Sequence, residues 1–241
     1  TFILLFALVT QGLNPAWPAL WGVAAGVFIF LGFNSFAHSL RHGNVSINAP
    51  IFRLNFIVTA LLAALLLGER LTGVKLAGLA LALLAVWLLL GAAGAPASVD
   101  RSELRRSLLL AVLATLALGT GNVLHKIGLG AGGVAATLLC AHSGTYLLLA
   151  ALTAARSEGG LAIPSAVWPY ALIGAFVMMT AFVLMLQALA RAEASVVVPI
   201  AQMGLVVSAP LGVAVLGEAF TGRKVAGLAA ALAALAMLAL A

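Results

Sequence analysis

Runs of about twenty apolar residues follow one another along nearly the whole chain, and each is long enough to cross a hydrocarbon core. They predict helices near 17–40, 46–67, 73–91, 106–128, 132–155, 166–189, 195–216 and 222–240, with a shorter apolar stub at 1–11. Only 7% of the residues are charged and 64% are hydrophobic. A soluble domain carries about a quarter charged residues, so this chain cannot cover itself against water. The expected class is an all-α, polytopic helical membrane protein. Barrel strands are excluded, because they alternate apolar and polar residues over about ten positions. Cys140 is the single cysteine, so no intrachain disulfide can form. The net charge of +6 comes from basic residues placed mostly at span ends. Loop charges that set membrane orientation sit there, so nucleic acid is not an expected partner.

The string "LLLGERLTGVKLAGLALAL" at 65–83 recurs as "AVLGEAFTGRKVAGLAAAL" at 214–232. Laying residue n on residue n+149 pairs Ser46 with Ser195, Pro50 with Pro199, Gly68-Glu69 with Gly217-Glu218, Thr72-Gly73 with Thr221-Gly222 and Lys75 with Lys224. Each copy reads as a helical hairpin. Gly68 or Gly217 closes one helix in the left-handed conformation, Thr72 or Thr221 caps the next, and the Glu and Lys mark the interface with water. The second copy contains five spans and the visible first copy contains three with the stub. The expectation is therefore ten spans in two halves of five, with roughly 45–50 residues of the first half absent from this sequence. An odd number of spans forces the second half to insert upside down, as in many secondary transporters. The predicted organisation is a first repeat at 1–92, incomplete at its N-terminus, a connecting loop at 93–105, and a second repeat at 106–241.

These residues resemble the drug/metabolite transporter superfamily in its ten-helix, EamA-type branch. The resemblance rests on "LLLGERLT…K..G", on "VLGEAFTGRK..G" and on "LGTGNVLHKIGL" at 118–129, where Lys126 is the late lysine of the family's first-helix pattern. It implies two inverted five-helix repeats around a central cavity whose exposure alternates between the two sides. One departure is His142 within "CAHSGTY", where the family pattern often has Arg.

Ionisable groups at membrane depth mark site candidates, because burying them is costly unless a cavity or partner receives them. Arg53 shares a helix face with Ser46 and Pro50, and the repeat places Gln202 with Ser195 and Pro199 on the matching face. Symmetry sets Arg53 opposite Gln202, against the alternative that Arg53 snorkels to the interface. His38 and Gln187 form a second pair of mates, with Asn34 on the stripe of His38. Asn122, Lys126, His142 and Tyr146 complete the expected substrate-binding set; Lys126 has a helix-end role as its alternative. Asn48, Asn55 and Thr59 are expected to make interhelical hydrogen bonds. Pro50, Pro199, Gly68, Glu69, Gly217 and Glu218 are expected as turn or hinge residues. No metal site and no cofactor are expected.

There is no G-x-x-x-x-G-K-[ST] loop to bind nucleotide, and no H-E-x-x-H or G-x-S-x-G motif, so an enzyme is not expected. The expected function is secondary active transport, in the export direction, of a small organic metabolite, with a carboxylate such as that of an amino acid suggested by Arg53 and Lys126. The alternatives are a multidrug or toxic-compound exporter of the same fold and a non-transporting membrane assembly subunit. The expected partners are a small-molecule substrate, the lipid bilayer and, if protons are coupled, a proton carried by His38 or His142. The expected state is a monomer or homodimer in a bacterial cytoplasmic membrane. Loop charges oppose the family's orientation: Arg41, Arg101, Arg105, Arg106, Arg156, Arg223 and Lys224 fall on one side. Arg70, Lys75, Lys126 and Arg191 fall on the other.

Overall fold

The computed structural model describes residues 17–43, 45–90, 101–156, 165–204, 206–207, 210–211 and 221–241. Among these, α1 spans Ala19–His42, α2 Val45–Arg53, α3 Asn55–Leu67, α4 Gly73–Leu90 and α5 Arg101–Gly130. They are followed by α6 Ala135–Ala155, a 3₁₀ turn Ser165–Val167, α7 Trp168–Arg191, α8 Ala194–Gln202 and α9 Gly222–Ala239. No strand occurs among the described residues. Six segments are long and apolar enough to cross a membrane, and Ile47–Leu67, which holds α2 and α3, is one of them. The outward surface is apolar: on α7, Tyr170, Leu172, Ile173, Phe176 and Val177 are each more than half exposed. Helices can show such a surface to lipid because their backbone hydrogen bonds are internal.

The apolar run at 46–67 is not one continuous helix. It breaks at Leu54, whose N–H donates to Ile51 O (3.0 Å), while Ile57 N–H donates to Leu54 O (2.9 Å). The second repeat does the same at the matching residue. Met203 N–H donates to Ile200 O (3.0 Å) and Val206 N–H to Met203 O (2.9 Å). In each copy the break falls four residues after a proline that sits inside the helix, Pro50 or Pro199. The tighter turn leaves the carbonyls of Phe52 and Gln202 without their helical partners, which matters for the site below. The helix α5 starts at Arg101, earlier than the apolar run alone indicates, because the charged turn 101–106 continues the helix into the interface.

The chain forms two compact units, and the division falls within α1, after Phe30, and within α5, after Thr120. The first unit holds the start of α1, the end of α5, α6 and α7. Its core is Ala135, Leu138, Leu139, Val183 and Leu186, packed against Trp21, Leu129 and Phe182. Small residues bring α1 onto α6: a methyl group on Gly22 would lie 2.6 Å from Leu138 O, and one on Gly26 2.6 Å from His142 O. Close backbone approach of this kind drives association where lipid removes any hydrophobic preference between helices.

The second unit holds the rest of α1 and α5 together with α2, α3, α4, α8 and α9. Here α4 and α9 pack antiparallel with a reciprocal exchange. Gly78 of α4 receives Leu238 of α9 (2.8 Å to an added methyl), and Gly227 of α9 receives Leu89 of α4 (2.7 Å). Gly78 and Gly227 are mates at an offset of 149, and so are Leu89 and Leu238. A twofold axis between mates that run in opposite directions is the geometry of an inverted repeat. The turns repeat too. Gly68 closes α3 at φ 69, ψ 20. Thr72 Oγ1 accepts from Lys75 N (3.3 Å), and Thr221 Oγ1 accepts from Lys224 N (3.4 Å). Glycines 217 and glutamate 218 of the second turn, Gly217 and Glu218, lie outside the described residues.

Replacing Gly22 by Leu is expected to destabilise the fold by about 1–3 kcal/mol, since the backbone of α6 must move away. The check is a lower thermal midpoint in detergent than for Gly144→Leu, where an added methyl group meets open space.

Candidate functional site

The short helix α8 ends inside the second unit, and both of its ends are held by charged side chains from the first repeat. At its N-terminus the Glu69 carboxylate accepts from Ala194 N (2.8 Å, Oε1) and Ser195 N (2.9 Å, Oε2). At its C-terminus Arg53 Nη1 donates to Gln202 O (3.2 Å), the carbonyl freed by the break at Met203. The signs match the helix dipole, with the anion at the amino end and the cation at the carboxyl end. Lys75, only 2% exposed, pairs with Glu193 and donates to Arg70 O (2.9 Å). That ion pair anchors the residue preceding α8, so the whole N-terminal turn is held from the 68–75 hairpin.

The side chains of the two mates also meet. Arg53 Nη1 donates to Gln202 Oε1 (3.2 Å), and Gln202 Nε2 donates to Asn55 Oδ1 (3.2 Å). Asn55 Nδ2 in turn donates to Phe52 O (2.8 Å), the carbonyl released at the first break. A chain of amides and one guanidinium thus links the two broken helices. Arg53 and Gln202 are half-buried, and Asn55 is buried. Asn55 and Thr59 lie one turn apart on α3, and Asn55 makes the interhelical hydrogen bond expected of it, to Gln202. Asn48 does make interhelical bonds, donating to Ser39 O (3.0 Å) and Ser107 Oγ (2.7 Å). Thr59 reaches Gly119 O (3.3 Å).

The remaining candidates divide between the units. Asn34 and His38 lie half-buried on α1 in the second unit, and no described residue hydrogen-bonds to either side chain. His42, one turn further on, is held by Glu103 Oε2 at 2.6 Å. In the first unit, Lys126 Nζ donates to Leu189 O (2.7 Å) and Ala192 O (2.8 Å), the last carbonyls of α7. Gln187 and Arg191 of α7, with Leu129, Gly133, Val134 and Ala135, line a cavity of 440 Å³. Asn122 is buried. His142 is buried beside His125, with ring centroids 5.0 Å apart, and packs edge-on against Phe182 (5.0 Å) and Tyr146 (6.4 Å). Sequence spacing places His125 next to Asn122 and Lys126; only the packing of α5 on α6 reveals His142 as its neighbour.

The model of the EamA-like transporter family matches this chain twice, over residues 1–91 and 105–240. The chain belongs to the EamA-like transporter family. It is therefore a membrane transporter of the drug/metabolite transporter superfamily and an integral membrane protein. A solved structure titled only "Crystal structure of protein" aligns with a TM-score of 0.82 at 18% identity, covering 99% of this chain and 82% of that one. That similarity shows a common fold. No curated protein matches.

The amino end of α8 in this family member gives a graded test. Glu69→Ala removes both acceptors and is expected to cost about 1–2 kcal/mol, the range for loss of a helix N-cap. Glu69→Gln keeps one acceptor oxygen and is expected to lose less. The measurement is thermal unfolding of the purified protein in detergent; equal stability of all three proteins would contradict the capping role.

Proposed function

We propose that this EamA-like protein is a secondary active transporter, in the export direction, for a small organic metabolite bearing a carboxylate, such as an amino acid. It acts by alternating access between two inverted repeats, as a monomer or homodimer in a bacterial cytoplasmic membrane. The observation that carries the reading is the pairing of Arg53 with Gln202 where two broken helices approach each other. Broken helices in transporters present unsatisfied backbone groups and charged ends to their cargo. The guanidinium offers five N–H donors in a planar fork, and one nitrogen, Nη1, serves Gln202. The rest of the fork suits a carboxylate, which it binds bidentately. Asn55 and Gln202 add neutral donors and acceptors for the polar remainder of a metabolite. Among the described residues no Asp or Glu lies in the middle of a helix, so the surroundings of the cation favour an anionic group.

The transport reading is tested in proteoliposomes by counterflow of labelled amino acids and other carboxylates against matched amines. Arg53→Ala is expected to reduce carboxylate exchange by about tenfold or more, the loss of one charge-assisted hydrogen bond. Gln202→Ala, which keeps the main-chain carbonyl, should reduce it less. Movement of amines but of no carboxylate, with Arg53→Ala unchanged, would exclude the proposed substrate class.

A further inference from the structure

We propose that the start of α5 holds an anionic phospholipid, its phosphate between Arg101 and Arg105 and its acyl chains along Leu108, Leu109 and Val112. The site is a groove of 320 Å³ lined by Arg101, Leu104, Arg105, Leu108, Leu109 and Val112. These six residues fall at i, i+3, i+4, i+7, i+8 and i+11, so they form one stripe on the helix. Its upper part is cationic and its lower part apolar. Leu109 is 60% exposed and Val112 46% exposed, and Leu113 and Leu116 carry the exposed apolar surface further down the helix.

The depth of the charges fits a headgroup. The helix has 30 residues, about 45 Å at 1.5 Å per residue, against a hydrocarbon core of about 30 Å. The uninterrupted apolar stretch begins at Leu108. Arg105 then stands about 5 Å, and Arg101 about 10 Å, above the edge of the hydrocarbon, which is the layer where phosphates reside. The guanidinium groups of Arg101, Arg105 and Arg106 donate no hydrogen bond to any described residue. The acid of this turn, Glu103, is two residues from Arg101 and so on the opposite face, where it is held by His42. Two guanidiniums at i, i+4 repel each other until an anion bridges them. Arginine's planar fork binds phosphate oxygens bidentately, and acyl chains cover the leucines beneath. An anionic lipid satisfies both parts of the groove at once; inorganic phosphate satisfies only the upper one.

The test compares retention of phosphatidylglycerol and phosphatidylcholine by the purified protein, using native mass spectrometry during stepwise delipidation. Inorganic phosphate serves as the headgroup-only probe in a thermal-shift titration. The expected result is that phosphatidylglycerol is retained about tenfold more strongly than phosphatidylcholine and that phosphate alone gives no comparable shift. Arg101→Gln with Arg105→Gln should abolish the preference, while Arg101→Lys with Arg105→Lys should keep most of it. The wild-type comparison requires no variant to fold. Equal retention of the two lipids, an unchanged preference in the double glutamine variant, or equal stabilisation by phosphate would each overturn the site.

Discussion

A helix that stops inside a membrane protein leaves several N–H groups at one end and several carbonyls at the other without partners, and hydrocarbon supplies none. The nine residues of α8 are in that position. Their solution is to borrow one charge for each end from a segment far away in sequence: Glu69 for the amides and Arg53 for the carbonyl of Gln202. Because the carboxylate meets the positive end of the dipole and the guanidinium the negative end, each charge is itself compensated. Lys75 and Glu193 neutralise one another beside the same turn. Both ends of the short helix are thus met by charged side chains of the second unit.

The same interactions explain why the repeat matters. Gly78 with Leu238 and Gly227 with Leu89 are one contact made twice, which defines a twofold axis between α4 and α9. Arg53 and Gln202, also mates, meet one another, so the axis relates them as well. The copies are not chemically equal there. A cation stands on one side and a neutral amide on the other, and Asn55 has Gly204 as its mate. The backbone break is symmetric, while the side chains that fill it are not.

In both units small residues let helix backbones approach closely, beside buried leucine, valine and phenylalanine side chains. Alanine and serine recur among the buried residues, and on α7 Leu172, Phe176 and Leu184 face outward while Leu186 and Leu189 face inward. In lipid, an outward leucine loses nothing, and tight contact between helix backbones supplies the attraction. Glycine brings helix backbones together next to buried polar residues, as where Gly26 meets the main chain of His142.

Much of this was legible in the residues alone. Length and continuity of apolar runs determine which segments span, because a hydrocarbon core has a fixed thickness. The offset of 149 determines which residues are mates, and the pairing of Gly78 with Leu238 and Gly227 with Leu89 shows that the mates α4 and α9 run in opposite directions. From these follow the partnership of Arg53 with Gln202 and the caps at Thr72 and Thr221. Tertiary structure alone decided the rest. The break at Leu54 depends on what can accept the released carbonyls, and its acceptors and donors come from another helix. Glu69 and Lys75 read as turn residues; only the structure shows that they reach the start of α8, whose first N–H groups have no partner within the helix. Periodicity assumes an unbroken helix and isolated neighbours; at the points where this protein is polar, neither assumption holds.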